Sequence, residues 1–188
     1  MATVSRRVAH GVTAAQAKAW RARWGEGPHL TTDVVLFTAR SKTTLSILLI
    51  RRGKPPWLGA HALPGGFVKE DEALESAARR ELAEETGVEL DDVPLVQVGT
   101  FGDPGRDPRA RVLTVVYSAF VPFERIEHAK AGDDAAAVGF FDLKNDRPVD
   151  ARGRPLALAA DHADIVKLAC ERLGRRKSQR SRISTAKR

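Results

Sequence analysis

Three glutamates, Glu81, Glu84 and Glu85, crowd into one short stretch behind Arg80. Leu74, Ala78 and Leu82 recur every four residues with Ala77 beside them, so residues 73–86 read as a helix with one apolar stripe. Gly87 stands where a left-handed C-terminal cap belongs. The carboxylates therefore fall in the last turns, where the macrodipole disfavours each anion by roughly 0.3–1 kcal/mol. Their i,i+3 and i,i+4 spacings add mutual repulsion. Helix stability does not select such an arrangement, and its plain alternative is an acidic, solvated face. A hard divalent cation does select it, because such ions take oxygen ligands from a few carboxylates and from substrate phosphates. Arg80 supplies a planar fork that can hold a carboxylate in place, with Glu84 and Glu72 as its two candidate partners.

Gly66, Glu72, Arg80, Glu81, Leu82, Glu84, Glu85, Gly87 and Val88 fill every fixed position of the pattern G-x5-E-x7-R-E-U-x-E-E-x-G-U, where U is bulky and apolar. In this spacing the chain resembles the Nudix hydrolases. The resemblance implies an α/β fold, an α/β/α sandwich around a mixed β-sheet, with the box helix carrying a metal site. It makes Glu81 and Glu85 the main metal ligands, and Glu84 a further ligand through water or a candidate base. It also brings the Gly65 carbonyl to a metal, with Mg²⁺ as cofactor and Mn²⁺ as a substitute. The run Leu63-Pro64-Gly65-Gly66 reads as a strand end entering a loop, and its paired glycines allow close backbone approach. Outside the box the same residues would read as an ordinary tight turn.

Arg51 to Pro56, Ala62 to Val68 and the Gly99–Arg109 loop resemble a narrower Nudix subgroup. It includes ADP-ribose pyrophosphatases and regulators of NAD metabolism whose Nudix-like domain senses ADP-ribose-type ligands. With Leu158 to His162 the likeness covers residues 30–172. Two departures stand out: His61 replaces an expected tryptophan, and Ala137 and Phe140 replace a late Glu and Trp. A late loop acid, Asp133 or Asp134, is a candidate catalytic base, and counting back from Phe140 favours Asp134. Arg52, Arg106 and Arg109 are candidate diphosphate or ribose contacts, since arginine forks suit phosphate oxygens; loop ion pairing is their alternative. His162 reads as an N-terminal helix residue with a structural hydrogen bond, or as a residue near the site.

The implied function is Mg²⁺-dependent hydrolysis of a nucleoside diphosphate linked to another moiety, ADP-ribose before others, giving AMP and ribose 5-phosphate. One rival is a ligand-sensing regulator without catalysis. Those regulators append a winged-helix domain, whereas only a basic segment follows Leu173 here. The other rival is the same chemistry on a sugar nucleotide, a dinucleotide or a damaged nucleoside triphosphate, because the box reports the reaction and not the leaving group.

The rest of the chain must position these residues. At 188 residues it can bury one sizeable core. Residues 1–29 read as an N-terminal helical extension opened by Thr13, 30–173 as the Nudix domain, and 174–188 as a basic, unstructured tail. Strands are predicted over 32–39, 44–51, 95–101, 112–121 and 138–143, and a helix from Asp161 to Leu173. The net charge of +7 resides in the tail: its seven basic residues, removed from 31, leave 24 against 24 acidic ones. Specific nucleic-acid binding is therefore not expected, only salt-sensitive polyanion contact. No stretch has the ~20 apolar residues of a membrane span, the N-terminus lacks a signal-peptide core, and the single cysteine, Cys170, fits a buried position in a reducing cytoplasm. A homodimer is compatible with this organisation.

Overall fold

The computed structural model describes residues 12–41, 43–132 and 135–185. Helix α1 (Ala14–Trp24) starts on a capping box in which Thr13 Oγ1 accepts from the Gln16 amide and Gln16 Oε1 from the Thr13 amide. Strands β1 (His29–Ala39) and β2 (Leu45–Arg52) follow, then the short β3 (His61–Ala62) and β4 (Gly65–Phe67). Helix α2 (Leu74–Thr86) ends on Gly87 at φ +67°, the left-handed cap its sequence predicts. After it come β5 (Val96–Phe101), β6 (Val112–Phe120), β7 (Ala135–Lys144), β8 (Arg147–Pro148) and helix α3 (His162–Thr185).

The strands form a mixed sheet in the order β5-β6-β1-β2-β7-β8, with β3 beside β2 and β4 beside β1. β1 runs parallel to β6 and antiparallel to β2 and β4. Successive β1 side chains point to opposite faces. Val34 and Leu36 pack with Ala78 and Leu82 of α2 on one face, while Val35 and Phe37 pack with Ile165 and Ala169 of α3 on the other. Both faces are covered, which explains the near-continuous apolar runs of β1 and β2. Each fully buried Leu, Ile or Phe in these layers contributes about 1.5–3 kcal/mol. The architecture is the α/β/α sandwich expected.

The structure departs from the sequence reading at several edges. β1 starts at His29, because its parallel register continues to His29 opposite Val112. β7 starts at Ala135, paired with Arg52 past an irregularity in the ladder. The brief β3 and β4 exist only by pairing with longer strands. α3 continues past Leu173 to Thr185, so the backbone of the basic segment is helical that far. Gly174 costs a helix only about 1 kcal/mol, and the Arg, Lys and Gln that follow are ordinary helix formers. Among the described residues no helix is long and apolar enough to cross a membrane.

Candidate active site

The apolar stripe of α2 fixes its rotation on the sheet, and that rotation turns the acidic end toward β4. Glu85 is only 7% exposed, and its Oε2 accepts a 2.9 Å hydrogen bond from the Gly65 amide. Burial, then the neighbouring charges of Glu81 and Asp33, push its carboxyl up to about 8 against the Gly65 bond and Arg52. Glu81 is also shifted upward, chiefly by burial. A Cβ on Gly66 would stand 2.5 Å from the Glu81 carboxyl carbon, and one on Gly65 2.2 Å from the Thr32 carbonyl. The paired glycines are thus a requirement of close approach.

Arg80 organises this cluster. Its Nε and Nη2 each lie 2.7 Å from a Glu72 oxygen, Nη1 reaches Glu81 at 2.7 Å and Glu84 at 3.0 Å, and Nη2 also reaches the Phe67 carbonyl. Both partners named from the sequence are therefore real, and Glu81 is a third. The guanidinium hydrogen bonds pull the Glu72 carboxyl down to about 2. One arginine faces three carboxylates here, and Glu85 has no guanidinium bonded to it among the described contacts.

Opposite the acids, a cleft of about 330 Å³ gathers Arg52, Arg106, Arg109 and Asp107, with Gly65 and Glu84 on its other wall. Arg52 Nε donates to the Pro56 carbonyl at 2.7 Å. Burial, then the charge of Arg109, lower the Arg52 pKa. Two guanidinium groups therefore converge on one space. Arg106 grips Asp161 with both arms, at 2.9 and 2.7 Å, and Arg109 grips Asp107 at 3.0 and 2.7 Å. The ion-pairing alternative is what the structure shows for these two, although both still line the cleft.

The NUDIX domain family matches residues 27–159. The chain belongs to the Nudix family. An ADP-ribose pyrophosphatase of Methanocaldococcus jannaschii is 42% identical over 123 residues, 64% of this chain and 63% of that protein. The ADPR responsive transcriptional repressor NtrR of Acinetobacter baylyi is 34% identical over 152 residues, 78% of this chain and 54% of that protein. The chain thus matches between about half and two thirds of the length of these curated relatives. Among solved structures, the NUDIX domain of Shewanella oneidensis NrtR complexed with ADP ribose superposes with a TM-score of 0.64 at 31% identity, covering 86% of this chain and 99% of that one. Nudix hydrolases use divalent cations.

The Nudix cleft also contains residues that the sequence did not single out. Asp33 is buried in β1, accepting from Thr114 Oγ1 at 2.6 Å, with its Oδ1 3.8 Å from His162 Nε2. Its one visible signal is the polar Thr-Thr-Asp run just ahead of the apolar Val34–Phe37 stretch. His162 satisfies both of its readings: Nδ1 accepts from the Leu63 amide at 2.9 Å, and the ring lines the cleft. Burial depresses its pKa, so the ring is neutral with its proton on Nε2. Asp161 and Asp107 were also missed as arginine partners; the Asp161 carboxylate, just ahead of α3, meets Arg106.

Asp134 lies outside the described residues, as does Asp133. Just before them, the Gly132 amide donates to the Glu85 carbonyl and the Lys130 amide to the Thr86 carbonyl, docking that loop on the end of α2. Of the family departures, His61 stands edge-on to Phe141 at 4.8 Å and Phe140 to Phe123 at 5.0 Å.

The donor set fits a hard divalent cation. Among the described residues no group of three or more His, Cys, Asp or Glu side chains is arranged to hold a metal ion, so further ligands would have to be backbone carbonyls, water or substrate. The ligands on offer are oxygens only, with the buried Glu85 and the half-buried Glu81 carboxylates one turn apart and both shifted toward the protonated form. Magnesium keeps several waters and shares phosphate oxygens, so an open set suits it.

Proposed function

We propose that this Nudix domain is a Mg²⁺-dependent pyrophosphatase that hydrolyses ADP-ribose to AMP and ribose 5-phosphate. The observation that carries the reading is the convergence of Glu81, Glu84 and Glu85 with Arg52, Arg106 and Arg109 on one cleft. A diphosphate linking two riboses needs both charge types. Its phosphates complement the guanidinium groups, and its bridging bond requires activated water.

Glu81, Glu85 and the Gly65 carbonyl would hold the Mg²⁺, which Mn²⁺ can replace, with Glu84 as a further ligand through water. When bound, the ion supplies charge neutralisation and a lowered water pKa. Arg80 keeps the Glu81 and Glu84 side chains from swinging apart and leaves Glu85 ungripped. In hydrolysis the water oxygen bonds to one phosphorus, the bridging P–O bond breaks, and the water proton passes to a carboxylate. Glu84, the more exposed of the box acids, and Asp134 are the candidate acceptors. Bound phosphate oxygens relieve the repulsion between Arg52 and Arg109.

A reducing cytoplasmic setting belongs to the same reading and is supported by the single, buried Cys170. The expected partner is a small nucleotide, with no specific nucleic acid and with a homodimer as the candidate assembly. Competition among ADP-ribose, ATP, 8-oxo-dGTP and a dinucleoside polyphosphate with Mg²⁺ tests the reading. ADP-ribose should lead in kcat/KM by about tenfold, a gap of roughly 1.4 kcal/mol. Another nucleotide in front would leave the chemistry standing and remove the substrate. The likeness to NtrR favours a second reading, a sensor without catalysis; ADP-ribose binding without AMP release would select it.

A further inference from the structure

Helix α1 precedes the residues that match the family, yet its side chains reach the rim of the cleft. Trp20 stands edge-on to His29 at 4.8 Å and lies 5.9 Å from the Phe67 ring. The Arg109 guanidinium sits over both rings, 5.4 Å from Trp20 and 5.3 Å from Phe67. Arg21 Nη1 donates 2.8 Å to the Arg109 carbonyl. Arg109 in turn holds both oxygens of Asp107, a carboxylate only 8% exposed that faces the cleft.

These attachments differ from those of α2 and α3. In α1 only Ala17 is buried, and the helix belongs to none of the buried clusters between sheet and helices. Eleven residues make a marginal helix in water, so its place depends on contacts with other segments. Its aromatic and cation–π contacts outside the helix are to His29, Phe67 and Arg109. The backbone of Arg109 is fixed by Arg21, its guanidinium by Trp20, and Asp107 by Arg109.

Building on the pyrophosphatase reading, we propose that α1 is a specificity clamp. Trp20 and Arg21 are positioning residues that set the affinity for the ribose-diphosphate part of a nucleotide by fixing the Arg109–Asp107 pair. Carboxylate oxygens suit vicinal ribose hydroxyls as acceptors. The guanidinium N–H groups not facing Asp107 suit a neighbouring phosphate, next to Arg52.

The test uses the full chain with Trp20→Ala and Arg21→Met, and Trp20→Phe as the conservative rescue. Initial rates of AMP release from ADP-ribose with Mg²⁺ should show KM raised about tenfold by Trp20→Ala and at least threefold by Arg21→Met, with kcat within twofold. Trp20→Phe should restore KM to within about twofold of wild type. If KM stays unchanged in both variants while only the melting temperature moves, α1 is a structural attachment and the clamp is wrong. Losses confined to kcat overturn it equally. Wild-type protein that releases no AMP would defeat the pyrophosphatase reading instead. Calorimetric titration with ADP-ribose then reads the clamp alone, through the same weakening in Trp20→Ala and Arg21→Met, and equal binding by all variants rejects it.

Discussion

The two walls of the cleft handle charge in opposite ways. On the α2 wall, one arginine, Arg80, bonds Glu72, Glu81 and Glu84, while Glu85 is buried beside Glu81 and accepts from the Gly65 amide. On the loop wall, two of the arginines each hold a carboxylate, Arg106 with Asp161 and Arg109 with Asp107, while Arg52 donates to the Pro56 carbonyl. The first wall crowds anions together, whereas the Arg106 and Arg109 pairs of the second are formed before any ligand arrives. Sites that carry chemistry concentrate such perturbed groups, whereas a rim that selects a ligand gains from being preorganised.

The largest expected effect attacks the α2 wall. Glu85→Gln should lower kcat at least a hundredfold, about 3 kcal/mol of transition-state stabilisation. The same substitution should stabilise the metal-free protein at alkaline pH. The folded Glu85 titrates near 8 and an unfolded glutamate near 4.5, so between these values the folded state binds the extra proton. Its contribution is present below about pH 4.5 and is lost as pH rises through about 8. Chelator-treated wild type should therefore lose stability between those values by some kcal/mol, and Glu85→Gln should not. A mutant that keeps more than about a tenth of wild-type kcat, or that melts with the wild-type pH slope, would show that this wall is an ordinary acidic face.

The loop wall should fail differently. Arg106→Ala leaves Asp161 partly buried without its partner, and the cost should approach the roughly 3 kcal/mol of a broken buried pair. Adding Asp161→Asn should recover much of that stability, because the pair costs most when half of it remains. In kinetics the single variant should raise KM for ADP-ribose about tenfold with a smaller change in kcat. Thermal melts and initial rates on both variants decide this. A kcat loss as deep as that of Glu85→Gln would erase the distinction between the walls.

The two walls were unequally legible in the sequence. The α2 wall is local: Arg80 meets Glu84 one turn on, and Glu72 lies just ahead of the helix, so spacing alone names the partners. The helix and its Gly87 cap come from the same short-range pattern. On the other wall Arg106 meets Asp161 across 55 positions and His162 meets the Leu63 amide across 99. Such pairs depend on how α3 packs against the sheet, which no local period encodes. The residues β3 and β4 take their conformation from β2 and β1, and their few residues carry no pattern of their own. Arg106 was legible as a ligand contact or as half of a loop ion pair, but its partner Asp161 was not, because loop composition gives chemistry without geometry.

His162 gives a smaller effect of opposite sign to Glu85. Its pKa is depressed below 6.5 by burial, so the unfolded state binds the extra proton in acid. Stability is present above about pH 6.5 and falls as pH drops through the depressed value. From pH 7 to 5 the wild type should therefore lose stability. His162→Asn keeps an acceptor for the Leu63 amide and should flatten that acid limb. If the slope persists in the variant, the acid sensitivity lies elsewhere in the cleft.

The smallest effect should come from the basic end of α3, which belongs to neither wall. Ile165, Val166, Ala169 and Cys170 anchor the helix in the core ahead of Gly174. Removing residues 175–188 therefore leaves the packed face of α3 intact. The truncation takes away seven basic residues and leaves a formally neutral chain. Retention on a polyanion column at low salt should fall, since that attraction follows the number of basic contacts. kcat/KM for ADP-ribose should stay within about twofold of the full chain, because the cleft keeps every charge that converges on it. A catalytic loss well beyond that, with the melting temperature unchanged, would mean that the basic helix supplies a third wall to the bound nucleotide.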